Sequence, residues 1–256
     1  MNGKVVVITG ASGGIGAATA TTIAAEGASV VLVARRETEL HAVAARCGAN
    51  AFPVLADATV RADVRRVARE AILRFGHVDV WMNNVGRGIT RPPSELTDED
   101  IDDMMRVNIK SVLYGVQEIL PHFKERKSGH IINVSSMLGR IPFAVFRSAY
   151  NGAKHYLNAI TANLREELRE SFPGIAVSLV SPGVVATDFG ANAVHGGPDS
   201  RSLPNAQEVD EVGRVFAWVM KTRHEDVYTT PGSKARIAEF FARVGEDPPA
   251  SVIAGA

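Results

Sequence analysis

Short apolar runs punctuate the chain: "KVVVIT" from Lys4, "SVVLVA" from Ser29, "AFPVL" from Ala51, "VDVWM" from Val78, "HIINVS" from His130, "IAVSLV" from Ile175 and a weaker "DVYTT" from Asp226. Most are β-branched and apolar at consecutive positions, which suits strands covered on both faces rather than a half-wet sheet. Longer segments with helical spacing lie between them. Their ends carry helix signals: Thr38 before "ELHAVAARC", Thr97 before a long helix expected at about 97–124, and Pro173 with Gly174 after a second long helix expected at about 148–171. Strand and helix alternate six times. That order predicts an α/β fold with an open, doubly wound parallel sheet and right-handed crossovers. No repeat or long linker divides the chain, so residues 1–256 are expected to form one domain. The stretch rich in Gly, Pro, Ser and Asn, "FGANAVHGGPDSRSLPN" at 189–205, reads either as a lid over a site or as disorder.

Composition narrows the partners. A chain of 256 residues, 46% hydrophobic, is long enough to build a core without disulfides or metal. Its 28 basic and 28 acidic residues cancel, which offers no general field for nucleic acid or anionic lipid. Cys47 is the only cysteine, the opening "MNGKVVVITG" lacks the layout of a secretory leader, and no run of about 18 apolar residues occurs. The expectation is a cytoplasmic protein that binds neither membrane nor nucleic acid. The glycosylation sequon at Asn133 falls at the end of a run that reads as a buried strand, and chance explains it. The histidines show no metal-ligand spacing, so no metal site is expected.

The first apolar run leads into "TGASGGIG" and then an Ala-rich helical stretch. Gly10, Gly14 and Gly16 are spaced differently from G-x-G-x-x-G but meet a similar mechanical need: a tight turn, backbone close to a pyrophosphate, and a helix N-terminus aimed at it. The same stretch satisfies G-x-S-x-G, the nucleophile elbow of a serine hydrolase, with Ser12 as nucleophile. Position opposes that reading, because no earlier strand can lend an oxyanion amide; Ser12 reads better as a turn residue or phosphate contact. At the end of the second strand, where a dinucleotide site usually places an acid for the adenosine ribose, stand Ala34, Arg35 and Arg36. A guanidinium there pairs with a 2'-phosphate, favouring NADP over NAD, although Glu37 or Glu39 offers an acid that keeps NAD open.

"SAYNGAKHYLN" sets Tyr150 and Lys154 one helical turn apart. Reduction of a carbonyl by hydride creates an oxyanion that needs a proton donor, and an unperturbed phenol with a pKa near 10 is a sluggish one. Lowering it by about three units takes about 4 kcal/mol, an amount within reach of a neighbouring ammonium at reduced dielectric. His155 points about 100° away around the helix and reads as structural.

Taken in order, "TGASGGIG" at 9–16, Asp57, "NNVG" at 83–86, Asn108, "NVSS" at 133–136, "YNGAK" at 150–154 and "PGVVAT" at 182–187 resemble the short-chain dehydrogenase/reductase family, over about residues 3–230. The resemblance implies a Rossmann-type fold of seven parallel strands, a nicotinamide cofactor and a catalytic tetrad of Asn108, Ser136, Tyr150 and Lys154. It also implies cofactor contacts from Gly10, Ser12, Gly14, Ile15, Gly16, Asp57, Asn84, Gly86, Pro182, Gly183 and Thr187, with Tyr150 and Lys154 joining them and Asn108 anchoring a water through its backbone. Two departures stand out. Val85 replaces a common alanine, and Ser136 lies one residue farther from Tyr150 than the usual spacing, which leaves Ser135 as a substitute. The implied activity is NADP(H)-dependent interconversion of a carbonyl and a secondary alcohol; a dinucleotide sensor without turnover is the alternative. Leu138, Ile141, Phe143, Phe146 and Phe189 suggest an apolar substrate wall, and Arg87 and Arg147 offer cations for an acidic group, although exposed arginines need no such role. The apolar run "VGRVFAWVM" and the two long helices point to a homodimer or homotetramer.

Overall fold

A computed structural model describes residues 1–249. Seven strands form one sheet: β1 (Val5–Thr9), β2 (Ser29–Ala34), β3 (Ala51–Leu55), β4 (Val80–Asn83), β5 (Gly129–Val134), β6 (Ile175–Ser181) and β7 (Asp226–Tyr228). All neighbours run parallel, in the order β3-β2-β1-β4-β5-β6-β7, as the doubly wound expectation requires. Pro53 cannot donate to a ladder, and it sits in β3 at the sheet's edge. The chain order reverses between β1 and β4. At such a switch point the loops after the strands diverge and leave a crevice for a ligand.

Alternate side chains of each strand feed separate cores. Val5, Val7, Val31, Val33, Trp81 and Ile131 pack on one face. That face is covered by α3 (Arg61–Phe75), α4 (Asp98–Met105), α5 (Ser111–Arg126) and α6 (Ser148–Arg169). Val6, Ile8, Val30, Leu32, Val80 and Met82 pack on the other, under α1 (Gly14–Ala25), α2 (Glu37–Cys47) and α7 (Val209–Thr222). A short α8 (Ser233–Phe241) follows. Among the described residues no helix is long and apolar enough to cross a membrane.

Three local expectations change. Thr38 is not the cap of α2: the helix begins at Glu37, with extended Arg36 accepting from the Leu40 amide at 3.0 Å and Glu37 and Glu39 placing negative charge at the dipole's positive end. The long helix from Thr97 does start in a reciprocal capping box with Asp100, but it widens into a π-helical turn at Arg106–Lys110 before continuing as α5. In α7, Val212, Phe216, Val219 and Met220 are buried within the chain, and Gly213 lies against the backbone of Ala18 in α1. Only Trp218 of that apolar run stays well exposed, so its hydrophobicity needs no second subunit to explain it.

Beneath the carboxyl ends of the central strands runs a buried polar chain. Trp81 Nε1 donates to Asn83 Oδ1 at 2.8 Å, Asn83 Nδ2 to Asn133 Oδ1 at 2.9 Å, Asn133 Nδ2 to Thr161 Oγ1 at 3.0 Å, and Thr161 Oγ1 to the Leu157 carbonyl at 2.7 Å. It ties β4 and β5 to α6. A methyl group on Gly115 of α5 would fall 2.0 Å from Asn83 Oδ1, which accounts for glycine there.

His130 lies buried in β5 with Nε2 2.7 Å from Ser178 Oγ. That hydroxyl donates to the His224 carbonyl, so it accepts from an Nε2–H imidazole. Burial pushes the ring from 6.5 down to about 3. The unfolded chain therefore binds the extra proton between these values, and stability is lost as pH falls through that window, by about 1.4 kcal/mol per pH unit well inside it. Urea unfolding from pH 4 to 7 should show this slope, and His130→Asn should lose that part of it; equal slopes in the two proteins would refute the assignment.

Candidate active site

The turn after β1 is built to admit a ligand against bare backbone. Gly10 and Gly14 adopt φ of +70° and +52°, and a Cβ on Gly16 would lie 2.4 Å from the Gly10 carbonyl and 2.7 Å from Asn84 Nδ2. Asn84 pins the turn by donating to the carbonyls of Thr9 at 3.0 Å and Gly10 at 3.2 Å. Gly13 precedes α1 without a capping side chain, which leaves the amides around Gly14, Ile15 and Gly16 to meet an anion. The Thr187 side chain approaches Gly14, where a Cβ would sit 3.2 Å from its methyl. The Pro182 carbonyl accepts from the Met137 amide at 2.8 Å, and a Cβ on Gly183 would lie 2.8 Å from Thr230 Oγ1. These features fit a dinucleotide: a cradle that side chains would fill, under a helix terminus short of acceptors.

Arg36 folds back onto the same turn. Its Nε and Nη2 donate to Ser12 Oγ at 3.2 and 3.1 Å, and Nη1 lies 3.4 Å from Glu39. Ser12 thus faces a cationic donor, and among the described residues no histidine bonds to it, so the hydrolase reading lacks a general base. Arg35 is mostly exposed and reaches Asp57 at 3.5 Å. Asp57 also accepts from the amide and hydroxyl of Thr59, both at 2.8 Å, contacts that hold its carboxyl below the usual range against the opposing effect of burial.

The tetrad residues converge. Lys154 is buried, donates to the Val134 carbonyl at 2.8 Å, and sits 5.6 Å from the centre of the Tyr150 ring. A Cβ on Gly86 would stand 3.1 Å from Asn108 Oδ1 and 3.5 Å from Lys154 Nζ, so "NNVG", the π-helical turn and α6 meet at one point. Asn108 does not face solvent: its side chain accepts from the Arg87 amide at 3.1 Å and donates to the Arg87 carbonyl at 3.0 Å. Ser136 stands close enough to the Tyr150 phenol to pull its pKa down against burial, and its Oγ accepts from the Leu138 amide at 3.1 Å. Ser135 turns instead to Asn158, at 2.5 Å, and Asn158 also donates to the Gly139 carbonyl at 2.6 Å. The extra residue before Tyr150 is taken up in the loop, and Ser136 keeps the place beside the phenol.

Around Tyr150 and Lys154 burial outweighs the neighbouring charge that their spacing predicts. Burial pushes the Tyr150 phenol up to about 12, with the Ser136 hydroxyl and the charge of Arg147 pulling the other way, and burial pushes Lys154 down to about 7. Proximity of an ammonium does not outweigh desolvation here. Phe189 contributes to the covering, its ring centre 5.6 Å from that of Tyr150.

The supposed apolar wall divides. Ile141 is buried, Leu138 packs on the core, Phe143 and Phe146 are exposed beneath Arg236 and Arg147, and only Phe189 stands over the phenol. Segment 189–205 is docked: Val194 bridges Ile89, Thr90 Oγ1 donates to the Gly196 carbonyl at 2.5 Å, and His195 Nε2 meets Asp100 at 2.7 Å. Arg87 is about half exposed, but Arg147 is only 8% exposed, contrary to its reading as a surface arginine. Thr90 and Asn158 also shape the site without any motif to mark them, and Thr9, the first residue of "TGASGGIG", accepts from Asn84 through its hydroxyl and its carbonyl, both at 3.0 Å.

The model of the family described as short chain dehydrogenase matches residues 4–196. An uncharacterized oxidoreductase of Staphylococcus epidermidis is 38% identical over 193 residues, covering 73% of this chain and 83% of that one. A short-chain dehydrogenase/reductase from Burkholderia phymatum, solved with NAD, superposes with a TM-score of 0.86 at 25% identity, covering 96% of this chain and 98% of that one. An alcohol dehydrogenase from Thermococcus sibiricus, solved with 5-hydroxy-NADP, gives 0.77 at 27% identity over 88% of this chain and 95% of that one.

Proposed function

The chain belongs to the short-chain dehydrogenase family of oxidoreductases, and on that premise we propose that it interconverts a carbonyl and a secondary alcohol using NADP(H), with Tyr150 as acid and base. The observation that carries this is the meeting of Tyr150, Lys154, Ser136 and Asn108 beside Gly86 at the switch point of the sheet. A bound nicotinamide supplies or accepts the hydride. In the reductive direction Ser136 donates a hydrogen bond to the substrate oxygen, and Tyr150 passes its proton to that oxygen as the C–O π bond becomes an O–H bond. Lys154 spends one donor on Val134, and its others are available for ribose hydroxyls; its charge, adjacent to the phenol, supports phenolate once the site is filled. The glycine turn and the first turn of α1 receive the pyrophosphate, Asn84 and Gly86 shape its floor, and Pro182, Gly183 and Thr187 border its far side. Asp57, its carboxylate held by Thr59, accepts from the adenine amino group. Segment 189–205 acts as the lid, with Phe189 its apolar contact to a substrate.

Arg36 and Ser12 supply the preference for NADP. A 2'-phosphate at their junction gains a guanidinium and a hydroxyl, whereas an unphosphorylated ribose finds Glu39 already engaged by Arg36. Titration of the purified protein is expected to show NADPH binding about tenfold or more tighter than NADH, and Arg36→Asp to reverse the order. Unchanged relative affinities in the variant would remove Arg36 from the site. A carbonyl panel run with the tighter cofactor then tests the reaction: no consumption of reduced cofactor with any ketone or aldehyde sinks the proposal.

A further inference from the structure

We propose that Arg147 is a positioning residue for proton transfer: its permanent charge, held beside Tyr150 without a carboxylate partner, favours the phenolate and strengthens Tyr150 as an acid. The inference rests on the reading of Tyr150 as the acid/base group. Arg147 stands at the N-terminal end of α6, three positions before Tyr150 and therefore one turn below it. Its Nη1 donates to the Ile89 carbonyl and to Thr90 Oγ1, both at 3.2 Å. The same atom lies 3.0 Å from where a Cβ on Gly88 would be, and the Phe189 ring, which packs on Tyr150, reaches that point to 3.1 Å. Nη2 comes within 3.2 Å of a Cβ placed on Gly197. The guanidinium is thus enclosed by the 86–91 loop, the 189–205 segment and its own helix.

All its protein acceptors are neutral. Two acids of the adjoining helix are committed elsewhere: Asp100 to Arg91 at 2.9 Å and His195 at 2.7 Å, and Asp103 to Arg106 and, at 3.6 Å, to Arg87. Among the described residues no carboxylate comes within ion-pair distance of Arg147. A buried cation without a counter-ion is costly, and its field falls on whatever ionisable group lies closest. Tyr150 lies one turn along the helix, and Phe189 links the two: it packs on the Tyr150 ring and reaches the point beside Gly88 that Arg147 Nη1 also approaches, so the charge of Arg147 pulls the phenol's pKa down against burial. Lys154 shares the helix face but is brought by burial down to about 7, so near neutrality it titrates. A guanidinium stays charged throughout that range. Ser136, the remaining polar neighbour of the phenol, carries no charge.

The test compares wild type with Arg147→Gln, Arg147→Met and Arg147→Lys, each checked by circular dichroism, thermal melting and NADPH affinity. The pH dependence of kcat/KM for alcohol oxidation reads the Tyr150 limb, and NMR titration of ¹³C-labelled tyrosine, with the Tyr150 resonance assigned through Tyr150→Phe, reads the phenol directly. Gln and Met should move both readings about one pH unit upward, or about tenfold less phenolate at a fixed lower pH, while Lys stays near wild type. An unmoved limb with a raised KM confined to acidic substrates would assign Arg147 to substrate recognition instead and overturn the inference. So would an equal displacement in all three variants, or an Arg147→Gln chain that does not fold, since either makes the residue structural. If wild type oxidises no alcohol, the fault lies with the proposed reaction, and the NMR titration still decides whether Arg147 acts on the phenol.

Discussion

Tyr150→Phe is expected to lower kcat for carbonyl reduction by about a thousandfold while NADPH affinity stays within a few fold of wild type. The substitution removes one oxygen and leaves the ring against Phe189 and Lys154, so the cofactor cradle of Gly10, Gly14 and Gly16 is untouched. What disappears is the hydroxyl beside Ser136 that can both give and take a proton, and general acid–base catalysis typically supplies about 10²- to 10⁴-fold. Fluorescence titration with NADPH and steady-state kinetics on one ketone check both halves. Retained turnover in the variant would mean that the chemistry runs elsewhere. Ser12→Ala separates the rival readings in the same assay: as a turn and phosphate contact it should change NADPH affinity modestly, whereas a hydrolase nucleophile would leave ester cleavage abolished. A protein that only senses dinucleotide would show tight binding in every variant and turnover in none.

Gly16→Ala is the second large effect, and it falls on binding rather than chemistry. The added methyl would meet the Gly10 carbonyl at 2.4 Å and Asn84 Nδ2 at 2.7 Å, distances that only a backbone shift relieves. Overpacking of this kind costs about 1–3 kcal/mol, and here the relief must come from moving the turn or the start of α1 that receives the pyrophosphate. NADPH affinity should fall by about a hundredfold, with a lowered melting temperature but an intact sheet by circular dichroism. Wild-type affinity would show that the cofactor does not approach this turn.

Much of this was legible from residue order. The strands are short enough, and buried enough on both faces, that runs such as "KVVVIT" and "IAVSLV" announce themselves without any tertiary information. Tyr150 and Lys154 were legible because a helix fixes their separation, and Arg36 because it follows directly on a strand end. What escaped depends on contacts between distant segments. Arg147 looks like any surface arginine until Gly88, Phe189 and Gly197 close around it. The packing of α7 on α1, which buries Val212, Phe216 and Val219, has no local pattern to announce it. The phenol's environment is hidden for the same reason: helical spacing shows the ammonium one turn away but not the burial that outweighs it. The π-helical turn at Asn108 has no propensity signal, and the Asn108 side chain within it bonds to the backbone of Arg87, a residue of a distant loop.

The buried run from Trp81 through Asn83 and Asn133 to Thr161 joins the strands that carry Asn84 and Ser136 to the helix that carries Tyr150 and Lys154. Each link leans on the next, so no part of the scaffold around the reacting groups can soften alone. Thermal inactivation and global melting should therefore coincide, leaving no half-molten form that keeps its shape while losing its competence.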